Sequence, residues 1–389
     1  MSFNWEIRPL GELAKFSSGG TPSKKNPEYW NGTIPWISAK AMKYERVSTS
    51  DLMITEEGLE SGSKLAPVGS LLLLTRGSGL FNGIPLCIVE RPVAFNQDVK
   101  CIDSRSDVDN LFIFYWLKSQ EQYLKAKLEV TGIGAGKFDT KFLQELNIPI
   151  PPQEERDKIV AILEAISKKI IVNAKMIDNL QQQAAAMYKS WFVDFSFSDE
   201  HKMVESEIGK IPCDWRVYRL SEFLPVITGK KNANVSSPRG EYPFFSCSQD
   251  FAWTNDYSFE GHAILVSGNG DFNVKWYKGK FEAYQRTYVL IPYEERFTSW
   301  LYYAVKYNLA KITSAARGSV IKFITKGNLE DFAFAAPSDL CSCEIIDNFA
   351  AINRKIDCLT QENYRLAAIR DTLLPRLMSG EIDVSDIKI

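Results

Sequence analysis

Residues 159–191 read IVAILEAISKKIIVNAKMIDNLQQQAAAMYKSW, and Ile159, Leu163, Ile166, Ile170, Asn173, Ile177, Leu180, Ala184, Met187 and Trp191 mark a seam whose steps alternate four and three. The seam recurs after a constant displacement of 186 residues as Ile345, Phe349, Ile352, Ile356, Leu359, Asn363, Leu366, Arg370, Leu373 and Leu377. Alternating steps of three and four are the heptad pattern, so each copy predicts a long helix with one apolar edge suited to a partner helix. Two such helices in one chain pair most simply with each other.

Start and stop signals stand where the seam needs them. The first helix follows Pro149, Pro151 and Pro152 and opens with Gln153, Glu154 and Glu155, acids suited to a helix N-terminus; the second follows Pro337, with Ser338 placed to cap it and Gly380 placed to end it. Roughly 40 residues at about 1.5 Å each give a rod of about 60 Å, the proportions of a spacer. The two asparagines set its direction. An antiparallel pairing about the seam midpoint brings Asn173 opposite Asn363, whereas a parallel one sets Asn173 against Leu359 and Ile177 against Asn363. A buried amide without a partner costs about 1–3 kcal/mol, so the antiparallel arrangement is expected.

The segments before the helices repeat more loosely. Trp5, Leu10, Glu12 and Leu13 are echoed by Trp215, Leu220, Glu222 and Phe223 at an offset of 210, and Ile34–Ser38 by Tyr242–Ser246. Gly69–Leu74 matches Gly261–Val266, both running into small polar loops (Thr75–Ser78, Ser267–Gly270), and Lys137, Phe138 and Thr140 match Lys322, Phe323 and Thr325. Two domains sharing a scaffold but not their loops imply two related sites of different specificity. Leu71–Leu74, Leu86–Val89, Ile264–Val266 and Thr287–Ile291 read as strands, and Leu111–Leu128 and Thr298–Lys311 as helices, so each domain is mixed α/β. The organisation expected is a first domain over 1–150, a helix over 151–195, a linker over 196–212, a second domain over 213–337, a helix over 338–380 and a tail over 381–389. Two tandem α/β domains would thus be separated by an antiparallel coiled coil with pseudo-twofold symmetry.

At 389 residues the chain has room for two cores besides the helices. It contains no run of about 18 apolar residues and its start shows no signal-peptide pattern, so a cytoplasmic protein without membrane contact is expected. Seven cysteines, an odd number without framework spacing, fit reduced thiols, and with only His201 and His262 to join Cys341 and Cys343 no metal site is expected.

On these residues the chain resembles the specificity subunits of type I restriction-modification systems. The resemblance rests on the tandem order of domain and long helix, on Asn147–Glu155 (NIPIPPQEE), Met187–Phe195 (MYKSWFVDF) and Gly209–Leu220 (GKIPCDWRVYRL), and on the C-terminal Leu373–Val384 (LLPRLMSGEIDV). Ala335–Cys343 (AAPSDLCSC) departs from the family's PPxxEQ-like run, which bears on the capping of the second helix. The resemblance implies a non-catalytic reader of double-stranded DNA, whose two target-recognition domains each read one half of a split, asymmetric sequence while the helices hold them apart. It further implies two adenine-methylating partner subunits that bind S-adenosylmethionine and endonuclease/translocase subunits that use ATP and Mg²⁺, with no cofactor in this chain. Domains held about 60 Å apart would be separated by more than one DNA turn of about 34–36 Å, leaving the bases between them unread.

The net charge of −2 is unusual for a DNA binder. Lys and Arg number 17 against 17 acids over residues 1–150 and 17 against 14 over 201–337, but 12 against 17 over 151–200 and 338–389 together. The acid lies with the helices, which therefore suit protein partners better than phosphate. Within the domains the candidate DNA contacts are Lys24, Lys25, Arg76, Ser78, Asn96, Gln97 and Lys137, then Lys230, Lys231, Asn269, Lys275, Gln285, Arg286 and Lys322. Arg and Lys read guanine edges or grip phosphate, and Asn and Gln pair with adenine. Asn96-Gln97 and Gln285-Arg286 each follow an aromatic residue and are read as matching pairs, while Trp36 and Trp253 are read as core or loop packing.

Enzymatic signals fail on spacing. Gly132–Lys137 (GIGAGK) is one residue short of a phosphate loop, with Phe138 where Ser or Thr would hold Mg²⁺, and Asn26–Tyr29 (NPEY) lacks the second proline of the adenine-methyltransferase NPPY motif. No Ser/His/Asp or metal constellation stands elsewhere. The rival readings are a methyltransferase, which would itself bind S-adenosylmethionine, and a stand-alone scaffold or DNA-binding protein without restriction partners.

Overall fold

Consecutive prolines at 151 and 152 end the strand Asn147–Ile150, and the helix Gln153–Phe192 begins at once, its first turn carrying Glu154 and Glu155. The computed structural model describes residues 5–132, 134–197, 202–314 and 322–387. The chain divides into two units, residues 1–171 with 364–389 and residues 172–363, so each unit holds one part of each long helix.

In the first unit a five-stranded sheet has the order Ala14–Ser18, Val99–Ser104, Leu71–Leu74, Leu86–Val89, Arg46–Val47. A second sheet orders Met53–Ile54, Trp30–Ile37, Val93–Phe95 and Leu65–Ala66. Leu71–Leu74 is buried at every position, as expected of a strand covered on both faces. The helix Asn110–Ser119 supplies Phe112, Ile113 and Leu117, and the helix Glu121–Ala126 supplies Leu124, to the same core. Glu6–Pro9 pairs antiparallel with Asn147–Ile150, which ties the beginning of the domain to the base of the long helix.

The second unit repeats this plan. Its six-stranded sheet runs Val226–Thr228, Thr287–Leu290, Phe259–Ser267, Val274–Ala283, Tyr242–Phe245, Ala252–Thr254, and Trp215–Arg219 pairs with Ala333–Pro337 just before the second helix. Where the first unit breaks its chain into Leu86–Val89 and Val93–Phe95 around Pro92, the second has one continuous ten-residue strand, Val274–Ala283. Proline cannot donate to a sheet ladder, which accounts for the interruption. Both versions end in the same parallel pairing, Ala94 with Trp36 and Phe95 with Ile37 in one unit, Glu282 with Phe244 and Ala283 with Phe245 in the other.

The long helices pair antiparallel, as each unit shows independently. In the first unit Ile159 and Leu163, near the start of one helix, share a core cluster with Leu374, Leu377 and Met378 at the end of the other, and the Lys158 ammonium donates to the Ser385 carbonyl at 2.6 Å. In the second unit Tyr188 lies 6.4 Å from Phe349, ring centre to ring centre. Asn173, fully buried, donates from Nδ2 to Asn363 Oδ1 at 2.9 Å and to Glu362 Oε2 at 2.8 Å. Ile166, Ile170, Ile177, Leu180, Ile352 and Leu366 are partly buried along the seam, and Ile356 and Leu359 are buried.

Several expectations are corrected. The second helix spans Ile345–Met378, 34 residues, and does not begin at Ser338. Asp339 instead organises the preceding turn, accepting the Cys341 and Ser342 N–H groups and the Ser342 hydroxyl, which hold its carboxyl below its ordinary range. At the helix ends the buried face also shifts by one position: Tyr188 and Phe192 are buried while Trp191 is exposed, and Ile346 is more deeply buried than Ile345. A straight helix drifts about 20° per heptad from a strict 3.5 repeat, and here the drift turns the ends toward the aromatic core of the second unit. Finally, the stretch read as a linker contains a hairpin, Met203–Ser206 with Gly209–Pro212. Gly380 ends the second helix at φ 74°, as the sequence indicated.

Candidate nucleic-acid interface

In each unit the same four segments converge through backbone hydrogen bonds. In the first, Gly20 N–H donates to the Phe95 carbonyl (2.9 Å), Thr75 N–H to the Asp98 carbonyl (2.8 Å) and Phe138 N–H to the Thr75 carbonyl (2.9 Å). The Thr21 hydroxyl donates to Gln97 Oε1 at 2.6 Å, and Lys137 lies in register with Arg76. In the second, Lys230 N–H donates to the Ala283 carbonyl (3.1 Å), Gln285 N–H to that of Lys231 (2.9 Å), Gly268 N–H to that of Arg286 (2.8 Å) and Ile324 N–H to that of Gly268 (3.0 Å). The scattered candidates Arg76, Gln97 and Lys137, and Lys230, Lys231, Asn269, Gln285, Arg286 and Lys322, thus fall on one loop cluster per unit.

A pair of glycines makes the convergence possible. A Cβ on Gly19 would stand 1.9 Å from the Phe95 carbonyl oxygen, and one on Gly229 would stand 2.2 Å from that of Tyr284 and 2.3 Å from that of Ala283. These glycines are 210 residues apart, the offset of the domain openings, so the signal for them was present in the sequence.

The hydrogen bonds also correct the internal alignment. Leu71 is equivalent to Ile264, because each pairs with the corresponding residue of the neighbouring strand, Ile102 or Leu290, and Lys137 is equivalent to Phe323 rather than Lys322, because their partners are Arg76 and Asn269. Both matches read from the sequence were one residue out; in the first, strands apolar on both faces carry no alternation to pin their register. By the same logic Asn96 N–H, donating to Ile37, corresponds to Tyr284 N–H, donating to Phe245. Gln97 therefore matches Gln285 and Asp98 matches Arg286, so Asn96-Gln97 and Gln285-Arg286 are not equivalent pairs.

Exposure separates the candidates. Lys24, Lys25, Arg76, Ser78, Gln97, Lys230, Gln285, Arg286 and Lys322 are exposed, and Lys137, Lys231 and Asn269 are partly so. Asn96 is buried, and its Oδ1 accepts the Asp98 N–H at 3.2 Å, which shapes the loop and withdraws the side chain from the surface. Lys275 is half-buried, donates to the carbonyls of Ser246 (3.3 Å) and Ser248, and has its ammonium pushed below the usual lysine range by burial. It anchors a turn. Trp36 is core, with its indole N–H on the Gly20 carbonyl at 3.0 Å, but Trp253 is 42% exposed, contrary to its reading as packing.

The enzymatic look-alikes are structural. Gly136 and Lys137 lie in a strand of a three-stranded ribbon, with Phe138 and Asp139 separating them from the short helix Thr140–Gln144, and Asn26 caps the turn Pro27–Tyr29 by accepting the Glu28 N–H. Among the described residues no group of three His, Cys, Asp or Glu side chains could hold a metal, and His201 lies outside them.

Residues 3–182 and 212–366 match the family described as the type I restriction modification DNA specificity domain. The chain belongs to that family. Its relatives include the Escherichia coli type I restriction enzyme EcoDI specificity subunit, 37% identical over 178 residues that make up 45% of this chain and 40% of that protein. The MjaIX specificity subunit of Methanocaldococcus jannaschii is 24% identical over 424 residues, covering 99% of this chain and 95% of the relative. A crystal structure of the type I restriction-modification S subunit from M. genitalium has the same fold, with a TM-score of 0.59, 17% identity and 96% of each chain covered. Among the described residues no helix is long and apolar enough to cross a membrane.

Proposed function

We propose that this chain is the cytoplasmic, non-catalytic reader of a split, asymmetric target in double-stranded DNA. Residues 1–150 read one half and residues 213–337 the other, while the helices within 151–195 and 338–380 set the interval. The observation that carries this reading is the duplicated loop cluster, built on the same hydrogen bonds but faced with different side chains. Arg76 stands where the second unit has Asn269, and Asp98 where it has Arg286. Equivalent scaffolds with unlike polar tips suit two related sites reading different bases.

The acidic balance of the helices favours protein partners along them. Two methyltransferase subunits carrying S-adenosylmethionine, and endonuclease/translocase subunits using ATP and Mg²⁺, supply the chemistry and much of the grip on phosphate. Replacing residues 1–150 with the matching domain of a relative tests the reading through genome methylation mapping of the complete system. One half-site should change and the other persist. Simultaneous change of both, or turnover of S-adenosylmethionine by the purified chain alone, would overturn it.

A further inference from the structure

Beside the loop cluster of the second unit stands a feature that the equivalent positions of the first unit lack. Trp253, on the edge strand Ala252–Thr254 of the six-stranded sheet, is 42% exposed, and Phe251, immediately before that strand, is 38% exposed; their ring centres are 5.3 Å apart with planes at 78°. The ring contact itself places the two side chains side by side. Two adjacent exposed aromatic rings form an apolar patch of the kind that marks an interaction surface.

The mount is rigid. Phe251 rests on Phe245 at 5.6 Å, which in turn packs on Tyr277 (5.2 Å) and Phe281 (5.8 Å). The turn leading into the strand is bolted to the loop cluster: Asn273 Nδ2 donates to the Cys247 carbonyl at 2.9 Å, the Ser267 hydroxyl to the same carbonyl at 3.3 Å, and the Cys247 thiol to the Arg286 carbonyl at 3.4 Å. The Lys275 ammonium closes the turn from beneath. On the far side Ser237 N–H donates to the Trp253 carbonyl at 2.7 Å, placing the exposed Arg239 on the adjoining segment. The aromatic pair is therefore continuous with the surface that carries Gln285 and Arg286.

Pairing register identifies the counterparts in the first unit. Pro243 pairs with Trp253 as Pro35 pairs with Met53, so Trp253 corresponds to Met53 and Phe251 to Asp51. Asp51 is engaged with Lys40 at 3.6 Å. A carboxylate at that place repels phosphate, whereas aromatic rings offer faces to bases.

We propose that Phe251 and Trp253 form an aromatic wedge that enters a base step bordering the half-site read by the second domain, and that the first domain reads its half-site without one. Insertion of apolar side chains between bases unstacks a step and kinks the duplex, which makes flexible pyrimidine–purine steps the preferred class of sequence. The inference rests on the DNA-reading function proposed above. With the planes at 78° one of the two rings can lie parallel to the bases while the other braces it, and one base–aromatic stack is worth about 1–3 kcal/mol, a factor of about 5–150 in affinity.

The test uses the chain assembled with its methyltransferase subunits and a duplex bearing the target found by methylation mapping, with 2-aminopurine placed in turn at each step around the second half-site. The expected result is a fluorescence rise at one step on binding, abolished in Phe251→Ala/Trp253→Ala together with a loss of affinity of at least about fivefold. Trp253→Phe should retain both, and the comparison is made at a temperature where circular dichroism shows the wild-type and alanine complexes equally folded. Affinity and fluorescence unchanged in the alanine variant, with target discrimination intact, would overturn the wedge and leave the two-domain reading standing. No discrimination by the wild-type complex between target and random duplex would overturn both. Protection of Phe251 and Trp253 from hydroxyl-radical oxidation by the methyltransferase subunits without DNA would assign the patch to protein and overturn the wedge alone.

Discussion

Replacing Arg46 with alanine should be among the most damaging single changes in the first unit. The Arg46 guanidinium reaches both carboxylate oxygens of Glu164 at 2.8 Å, and the side chains are only 22% and 8% exposed. Tyr115 donates its hydroxyl to Glu164 at 2.8 Å, and burial raises the Tyr115 phenol further above its ordinary range, keeping it a neutral donor. Removing one partner of a buried pair costs about 3–5 kcal/mol, because the remaining charge stays desolvated. Tyr115 and the exposed Lys168, 3.6 Å from Glu164, still compensate part of that charge, which places the expected loss near 3 kcal/mol. The double variant Arg46→Met/Glu164→Leu should recover most of it, since an apolar replacement of a buried pair is often neutral or stabilising. Urea unfolding followed by circular dichroism reads the loss. A loss below about 1 kcal/mol for Arg46→Ala would place the pair among surface salt bridges and refute the argument.

The matched amides give a second expectation: Asn173→Leu/Asn363→Leu should preserve or raise stability, because Asn173 Oδ1 is buried without a partner, while methylation mapping should show a less strictly fixed spacer. Inserting four residues near Lys175 lengthens that helix by about 6 Å and rotates its distal part by about 40°. The expected outcome is a longer unread interval with both half-sites unchanged, and unchanged spacing in methylation mapping would count against the ruler. Gly229→Ala should cost about 1–3 kcal/mol or more in thermal unfolding, since its Cβ meets two backbone carbonyls that cannot move independently. A neutral substitution would mean that the loop cluster is looser than its hydrogen bonds indicate.

Tyr115 and Tyr303 show how far the repeat can be followed. Tyr303 donates to Asn353 at 3.0 Å, and Tyr115, which donates to Glu164, also has its oxygen 3.2 Å from the Ser167 hydroxyl; Ser167 and Asn353 are separated by the same 186 residues as the seams. Each unit thus fastens its domain to a long helix with a tyrosine hydroxyl, although the acceptors differ. The seam announced the helices, but nothing in its spacing announced which polar positions beside it would be buried.

The sequence by itself determined the two long helices, their antiparallel direction and the duplication of the domains, because heptad spacing and two out-of-register asparagines are local patterns whose meaning needs no knowledge of neighbours. Most of the polar residues it singled out fall on the loop cluster of each unit. Tertiary structure alone decided which of those side chains reach the surface: Asn96 turns inward to brace its own loop, Lys275 is consumed by two carbonyls, and Trp253 stands outside. It likewise decided the residue-by-residue equivalence of the two units, since fully apolar strands have no preferred face and only the hydrogen bonds of neighbouring strands fix their register.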